Sequence, residues 1–307
     1  MIVEATALTK SYGSTEVLKG VDLHVREGTV FALLGPNGAG KTTAIRVLTT
    51  LTRPDGGTAR VAGHDVVREP TKVRAAISLT GQYAAVDDQQ TGRENLVMIG
   101  KLMHLGPAAK ARAVDLLERF DLRAAADRRV ATYSGGMRRR LDLAMSLVAR
   151  PRVIFLDEPT TGLDPTSRTT MWDSIKELVA AGTTIVLTTQ YLEEADRLAD
   201  RVALLHEGRI ALSGTPDEVK AHVGGHRLDL RFPTETALAE AATLFRAPLS
   251  DDPLVLGLPS DGTASHLHHV LDTLRAAGVP VAAVSSHRPT LDDVFLAVTT
   301  RHLEEAR

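Results

Sequence analysis

Apolar and polar positions along this 307-residue chain form blocks of two kinds, and the blocks alternate. Three short segments, 31–34, 152–156 and 184–188, are almost continuously apolar, as strands buried on both faces are. The segment 88–150 instead has apolar positions spaced mainly as in helices. Alternation of buried strands with helices predicts an α/β fold built around a mainly parallel sheet.

Capping signals mark where two of the predicted helices begin. Thr91 and Glu94 have the spacing of a capping box, in which each side chain bonds the backbone N–H of the other residue. Asp164 followed by Pro165 is typical of an N-cap and the first helical position. The helix that starts there is predicted to stop at Gly182. Its predicted apolar face consists of Met171, Ile175, Leu178 and Val179.

The pattern of strands and helices breaks at two consecutive glycines, Gly224 and Gly225. A strand–helix pattern then occurs three times before the chain ends. We therefore expect two domains, a large one over residues 1–222 and a small α+β accessory domain over residues 226–307. The small domain carries no catalytic constellation, so we expect it to have an assembly or regulatory role.

Composition excludes several classes of protein. The net charge of −2 favours neither a nucleic-acid binder nor a polybasic membrane-surface protein. The absence of cysteine excludes disulfides, thiolate metal sites and a cysteine nucleophile. No signal-peptide pattern is evident, and no apolar run approaches the roughly 18 to 20 residues that a membrane helix requires. We expect a cytoplasmic chain that reaches a membrane only through a partner.

The segment 35–43, GPNGAGKTT, fits the pattern G-x-x-x-x-G-K-[ST]. It follows a predicted buried strand and opens a helix, which is the setting that a phosphate-binding loop requires. Its glycines let successive backbone N–H groups point at phosphate oxygens, with the helix N-terminus behind them. Lys41 is expected to reach the β- and γ-phosphates, and the Thr42 hydroxyl to ligate Mg²⁺. The predicted nucleotide-binding residues of this loop are Gly35, Pro36, Asn37, Gly38, Ala39, Gly40, Lys41, Thr42 and Thr43.

Three further motifs follow the loop. The run SGG at 134–136 begins a helical pattern, and the apolar run 153–156 ends in Asp157 and Glu158. The run TTGLDP then ends in Asp164 and a proline. A phosphate-binding loop alone occurs in many ATPases, but the loop followed by these three motifs in this order is highly specific.

Together with Gln82 and the aromatic residue Tyr12, these motifs resemble the ATP-binding subunits of ABC transporters over residues 1–222. The resemblance implies a P-loop NTPase fold of the ABC type, with a RecA-like core and a helical subdomain at about 88–150. It also implies ATP hydrolysis coupled to transport across a membrane, with ATP and Mg²⁺ as cofactors.

Each motif residue has a chemical role under this resemblance. Asp157, at the end of a buried strand beside the loop, suits the Mg²⁺ shell. Glu158 is placed to orient or deprotonate the attacking water, which is the role of that position in the family. The resemblance also puts Gln82 in the nucleotide and Mg²⁺ site, and it stacks Tyr12 on the adenine ring.

The resemblance implies a homodimer. Ser134, Gly135 and Gly136 begin a helix whose N-terminus suits a γ-phosphate. In the family that phosphate belongs to ATP held by the other subunit, so two chains would enclose two ATP molecules about a two-fold axis. Asp164 would contribute contacts across that interface.

Two positions depart from the family pattern. Met137 follows SGG where glutamine is usual, although Ser134 and Gly136 are intact. Gln190 stands where the family has a histidine that contacts the γ-phosphate. A glutamine amide can still donate a hydrogen bond but cannot become a cation. Our hypothesis is that Gln190 keeps the contact without the charge and that Glu158 alone acts on the water.

The Gln190 substitution, the segment 81–96 and the ending 288–299 are similar to the daunorubicin-resistance drug-exporter ATPases of actinobacteria. In that group the channel is a separate membrane-embedded polypeptide, so the resemblance implies drug or antibiotic export through such a permease. Gln82, Tyr83 and residues 86–95 are expected to form the surface that couples to it. The chain is then expected to lie on the inner face of the cell membrane.

Alternative transport functions remain open at this stage, because export of a lipid, a glycan or an ion would use the same ATPase. A non-transport ABC ATPase acting on ribosomes normally carries two cassettes, and this chain has one phosphate-binding loop. A DNA-repair ATPase would separate that loop from SGG by a very long coiled coil, whereas only residues 44–133 intervene here.

Two clusters of polar residues are expected to be structural. His266, His268 and His269 fall mainly on the outer face of a helix, which argues against a metal site. The arginines at 138–140 point in three directions on a helix, so we expect solvation or ion pairing and no nucleic-acid binding.

Overall fold

The computed structural model describes residues 1–81, 84–223, 226–248, 253–296 and 298. The chain divides into two compact units, Met1–Pro216 and Asp217–Arg307. The predicted break at Gly224 and Gly225 lies outside the described residues, so the domain limits at 222 and 226 stay a prediction.

The first unit alternates strands with helices. Its strands are β1 (Val3–Tyr12), β2 (Thr15–Val25), β3 (Val30–Leu34), β4 (Gly56–Val61), β5 (His64–Asp65), β6 (Ile77–Thr80), β7 (Val153–Asp157), β8 (Thr184–Thr189), β9 (Arg201–His206) and β10 (Arg209–Gly214). Its helices are α1 (Lys41–Leu48), α2 (Pro70–Ala76), α3 (Gly92–Leu102), α4 (Ala108–Arg119), α5 (Gly135–Ser146), α6 (Pro165–Ala180) and α7 (Leu192–Leu198), with short 3₁₀ turns at Arg123–Ala125 and Val130–Thr132. A short α8 (Pro216–Lys220) and a 3₁₀ turn (Ala221–Val223) follow.

A six-stranded sheet with the order β10-β9-β3-β8-β7-β6 forms the centre of this unit. All neighbouring pairs are parallel except β10 and β9, which are antiparallel. Every residue of β3, β7 and β8 is buried, which confirms the three continuously apolar strands and the α/β class. Because these strands are parallel, their carboxyl ends lie along one edge of the sheet, and the phosphate-binding loop starts there.

A second sheet, antiparallel and with the order β2-β1-β4-β5, was not predicted from the sequence. Its buried side chains share one apolar core with the central sheet and α1. Leu8 and Leu18 from this sheet belong to the same cluster as Leu33, Ile45 and Phe155. That core holds α1, which begins at the phosphate-binding loop, between the two sheets.

Helices α3, α4 and α5 fill most of 88–150, as the spacing of apolar residues predicts. The capping box at the start of α3 is confirmed. The Glu94 N–H donates to Thr91 Oγ1 at 3.2 Å, and the Thr91 N–H donates to Glu94 Oε2 at 2.8 Å. Asp164 caps α6 as expected, with Pro165 in the first turn. Helix α6 ends just before Gly182, whose φ of +92° reverses the chain.

The second unit contains β11 (His226–Arg231), α9 (Glu235–Phe245), β12 (Val255–Ser260), α10 (Ala264–Ala276) and β13 (Ala283–His287), followed by helical residues 291–296. This order confirms the three strand–helix patterns. The strands form an antiparallel sheet with the order β12-β11-β13. Its core joins Leu228 and Leu230 with Val270 and Leu274. Across the described part of the chain, no helix is long and apolar enough to span a membrane.

Candidate functional site

The phosphate-binding loop connects β3 to α1, and two of its glycines are required by its geometry. Gly35 has a φ of +157°, and a Cβ atom there would stand 2.3 Å from the carbonyl oxygen of Leu205. Gly40, the residue before α1, has a φ of +108°, and a Cβ there would stand 2.9 Å from Leu18. Only glycine satisfies both the left-handed backbone and the close approach. The loop thus packs tightly against β9 and β2.

Lys41 lies in the interior of this loop, with 5 % of its side chain exposed. Its Nζ donates to the carbonyl oxygens of Gly35 at 2.8 Å and Pro36 at 3.2 Å. The same atom forms an ion pair with Glu158 Oε1 at 3.5 Å. The ammonium therefore stands between the loop backbone and Glu158, the carboxylate that the sequence analysis predicts to be catalytic.

Two side chains with oxygen atoms, Thr42 and Asp157, meet beside the loop. The Thr42 hydroxyl donates to Asp157 Oδ1 at 3.3 Å, and the Thr188 hydroxyl donates to the same oxygen at 2.5 Å. Hydroxyl and carboxylate oxygens are the donors that Mg²⁺ prefers, so Thr42 and Asp157 fit such an ion. Strands β7 and β8 make this possible, because their register sets Asp157 opposite Thr188.

Glu158 stands just past the end of β7 in an uncommon backbone conformation. Its φ is +50°, a left-handed value that is costly for a residue with a Cβ atom. Its N–H donates to both the carbonyl and the hydroxyl of Thr188, each at 3.1 Å. The Thr161 hydroxyl donates to Glu158 Oε2 at 3.3 Å. These contacts hold the carboxylate over the loop, facing Lys41.

The SGG run and Asp164 are joined within one chain. Ser134 caps α5, because its Oγ accepts from the Met137 N–H at 3.2 Å. A Cβ atom on Gly136 would stand 2.5 Å from the hydroxyl of Ser167, whereas Gly135 has open space around it. Asp164 accepts from the Ser167 N–H at 3.0 Å and from its hydroxyl at 2.5 Å, and these bonds lower the pKa of the Asp164 carboxyl. Ser167 therefore joins the two motifs.

Of the remaining predicted site residues, the structure describes Tyr12 and Gln190 but not Gln82 or Tyr83. Tyr12 lies at the end of β1 with 48 % of its surface exposed, and Lys10 Nζ is 5.6 Å from its ring centre. Gln190 follows β8 directly and is exposed. Gln82 and Tyr83, predicted for the nucleotide site and the coupling surface, lie outside the described residues.

The three arginines of α5 point in different directions, and they form ion pairs as expected. Arg138 pairs with Asp88 at 3.1 Å and Arg140 with Asp121 at 3.3 Å. The buried position of Arg139 was missed, because three adjacent arginines indicate a solvated surface. Arg139 pairs with Asp142 at 3.2 Å inside the protein. Burial lowers the pKa of Arg139 and raises the pKa of Asp142.

A second buried polar group was also missed. Glu194 in α7 is fully buried, and the indole N–H of Trp172 donates to it at 3.1 Å. Burial raises the pKa of the Glu194 carboxyl, and the hydrogen bond from Trp172 opposes this shift. An acidic residue in a run such as LEEADR gives no sequence signal of burial. Glu194 connects α7, just after Gln190, with α6.

The histidines at 266, 268 and 269 behave as predicted for a helix surface. His268 and His269 are exposed and His266 is half-buried, whereas Val270 and Leu274 on the same helix are buried. Within the part of the chain that the structure describes, no three His, Asp or Glu side chains cluster as a metal-binding group.

Comparisons with known proteins agree with this geometry. Residues 18–161 match the family "ABC transporter", and residues 214–299 match the family "ATP-binding protein DrrA1-3-like, C-terminal domain". The chain is 53 % identical to the daunorubicin resistance ATP-binding protein DrrA2 of Streptomyces coeruleorubidus, over 98 % of this chain and 96 % of that protein. It is 46 % identical to the doxorubicin resistance ATP-binding protein DrrA of Mycobacterium tuberculosis strain H37Rv, over 98 % of this chain and 94 % of that protein.

A solved structure extends the comparison. The chain resembles a dimeric ATP-binding cassette in a post-hydrolysis state, bound to ADP and Pi, with a TM-score of 0.62 and 25 % identity. The match covers 69 % of this chain and 98 % of that one.

Proposed function

We propose a function from one premise: this chain belongs to the DrrA-like ATP-binding proteins of the ABC transporter family. It is an ATPase that powers export of a drug or antibiotic through a separate membrane-spanning permease. The observation that carries the proposal is the convergence of Lys41, Thr42, Asp157 and Glu158 at one edge of the parallel sheet. Lys41 and Glu158 are 3.5 Å apart, and Thr42 and Asp157 are 3.3 Å apart.

The chemistry follows from these positions. Backbone N–H groups of residues 35–43 and the Lys41 ammonium would hold the β- and γ-phosphates, while Thr42 and Asp157 would hold Mg²⁺. Bound Mg²⁺ supplies charge that neutralises the phosphate oxygens. Glu158 orients the attacking water and accepts its proton, and its contacts with Thr188 and Thr161 restrict where the carboxylate can point.

The site is completed by a second copy of the chain. Ser134, Gly135 and Gly136 present the N-terminus of α5, and the open space around Gly135 lets a phosphate approach the backbone. In a head-to-tail homodimer this end would face ATP held by the other copy, with Asp164 near the interface. Gln190, exposed after β8, would donate its amide to the γ-phosphate, and Tyr12 would stack on adenine. Gln82 would join the Mg²⁺ site.

A groove between α3 and α4 is the proposed docking surface for the permease. Its volume is about 850 Å³, and Gln90 and Glu94 from the predicted coupling segment line it. Leu102 and Val114 add exposed apolar surface at 64 % and 42 %. Apolar and charged groups together suit an amphipathic cytoplasmic helix of the permease. The chain would then work on the cytoplasmic face of the membrane.

The first test is the oligomeric state of Glu158→Gln with and without Mg·ATP, measured by size-exclusion chromatography with light scattering. We expect an ATP-dependent dimer that Lys41→Ala or Ser134→Arg abolishes. A monomer under every condition, including co-expression with the permease, would contradict the composite sites.

The exported substrate needs a separate assay. Cells that express the chain and the permease should accumulate less daunorubicin than cells that carry Glu158→Gln. Equal accumulation of the drug, with altered export of a lipid, glycan or ion, would replace drug export by that alternative.

A further inference from the structure

Arg139 occupies an interior position on α5, close to the site but outside its known motifs. The residue is 6 % exposed, although it lies in a run of three arginines. Its neighbours Arg138 and Arg140 pair with partly or fully exposed carboxylates, whereas the Arg139 guanidinium points into the protein. A charged group in the interior is costly unless it is paired, so the contacts that its Nε and Nη1 make indicate its role.

The guanidinium binds two carbonyl oxygens that belong to different parts of the chain. Its Nε donates to the carbonyl of Pro159 at 2.8 Å, and its Nη1 donates to the carbonyl of Gly81 at 2.7 Å. Pro159 directly follows Glu158, the proposed catalytic carboxylate. Gly81 directly precedes the segment proposed to meet the permease. One planar group thus holds both backbones at short distance.

Asp142, one turn along α5, fixes the orientation of this group. Its Oδ2 accepts from Arg139 Nη1 at 3.2 Å, and its Oδ1 accepts from the Ala85 N–H at 3.1 Å. Asp142 is 5 % exposed, so water does not replace these bonds readily. The Arg139–Asp142 pair therefore hydrogen-bonds the backbone at Gly81 and at Ala85, on the two sides of residues 82–83.

We propose that Arg139, oriented by Asp142, is a positioning residue that transmits displacement between Gly81 and Ala85, on one side, and the backbone that carries Glu158, on the other. Because the Pro159 ring fixes its own φ, a displacement of the Pro159 backbone is passed largely to Glu158, which is held at a φ of +50°. A permease that displaces Gly81 and Ala85 would therefore move Glu158, and ATP bound at the phosphate-binding loop beside Glu158 would change the position of Gly81 and Ala85. The part of this proposal that concerns the permease rests on the proposed function.

The hydrogen bonds to the Pro159 and Gly81 carbonyls require the planar, forked guanidinium group of arginine. A lysine ammonium carries the same charge, but it cannot reach both carbonyls in the same plane. An apolar pair of similar volume would remove both connections without leaving a buried charge unpaired, and the backbone groups that lose a partner cost less than an unpaired charge would. The double variant Arg139→Met/Asp142→Leu and the single variant Arg139→Lys therefore separate coupling from folding.

The test is hydrogen–deuterium exchange of the full chain with and without Mg·ATP, in the absence of any permease. In the parent we expect Mg·ATP to slow exchange about tenfold in peptides that cover 84–91, because ordering at Glu158 reaches Ala85 through Arg139 and Asp142. These peptides exclude Gln82, which is itself proposed to contact Mg·ATP. Both variants should lose that response while the peptide covering 35–48 keeps its ATP protection. Arg140→Met, on the same helix but bonded to Phe120 and Asp121, is the matched control and should behave as the parent.

Steady-state kinetics provides the second readout. The variants should lower kcat about tenfold with KM changed less than about twofold, because ATP binding uses other residues. Retention of the 84–91 response in both variants, loss of it in Arg140→Met, or no response in the parent would overturn the proposal. Absence of ATP protection at 35–48 in the parent would instead refute the proposed ATPase function.

Discussion

Gly35→Ala tests whether the phosphate-binding loop is fixed by its packing against β9. The new Cβ would lie 2.3 Å from the Leu205 carbonyl oxygen, well inside the contact distance. Leu205 is fully buried and lies in β9, which pairs with both β3 and β10, so its backbone cannot yield without breaking a ladder. The clash falls on backbone, which has no rotamer available to relieve it.

The magnitude follows from two separate costs. Overpacking a well-filled interior costs about 1–3 kcal/mol, and a backbone conformation that side chains rarely adopt costs about 1–3 kcal/mol more. We therefore expect Gly35→Ala to lower the free energy of unfolding by roughly 2–6 kcal/mol. Gly38→Ala is the matched control, because Gly38 has a φ of +82° but no atom within 4 Å of the added Cβ. It should cost only about 1–2 kcal/mol.

Urea unfolding of the parent and both variants measures these free energies at one temperature. The difference between the two variants reports mainly the clash, since both replace a glycine with a positive φ. A fluorescent ATP analogue should also bind Gly35→Ala more weakly than Gly38→Ala, because the loop must move away from β9. Equal unfolding free energies for the two variants would refute the packing argument.

Three further predictions concern the surroundings of the site. Burial raises the pKa of Glu194 above its ordinary 4.5, so the folded state binds the extra proton and stability falls as pH rises from that value. Glu194→Gln should abolish this fall, and its stability advantage over the parent should grow with pH in thermal unfolding. Thr188→Val removes the hydroxyl bonded to Asp157 and should cost about 1.5–3 kcal/mol in urea unfolding, with weaker Mg²⁺ dependence of ATP hydrolysis. Gly136→Ala should destabilise the chain by about 1–3 kcal/mol through its clash with Ser167, and Ser167→Gly should offset part of that loss in the double variant.

Each of these has an outcome that contradicts it. Parallel pH profiles for the parent and Glu194→Gln would mean that Glu194 does not titrate differently on folding. Parent-like stability of Thr188→Val would remove Thr188 from the support of Asp157. Strict additivity of Gly136→Ala and Ser167→Gly would show that α5 and α6 relax independently at that contact.

The parts of the site that lie within one short segment could be predicted from the sequence. The spacing of Gly35, Gly40 and Lys41 defines a loop between a strand and a helix, and the caps at Thr91 and Asp164 involve residues three positions apart. Such features depend on local backbone geometry, which neighbouring residues largely determine. The apolar runs likewise indicated the buried strands, because a strand covered on both faces has no polar side.

Which distant segments meet could be learned only from the folded structure. The fit of Gly35 against Leu205, and the burial of Arg139 beside Gly81 and Pro159, depend on contacts between residues far apart in the chain. The residue type of Glu194 does not indicate whether its side chain is solvated or buried. Burial is a property of packing between elements, so the sequence determined the chemistry available to this protein, and the fold decided where each group acts.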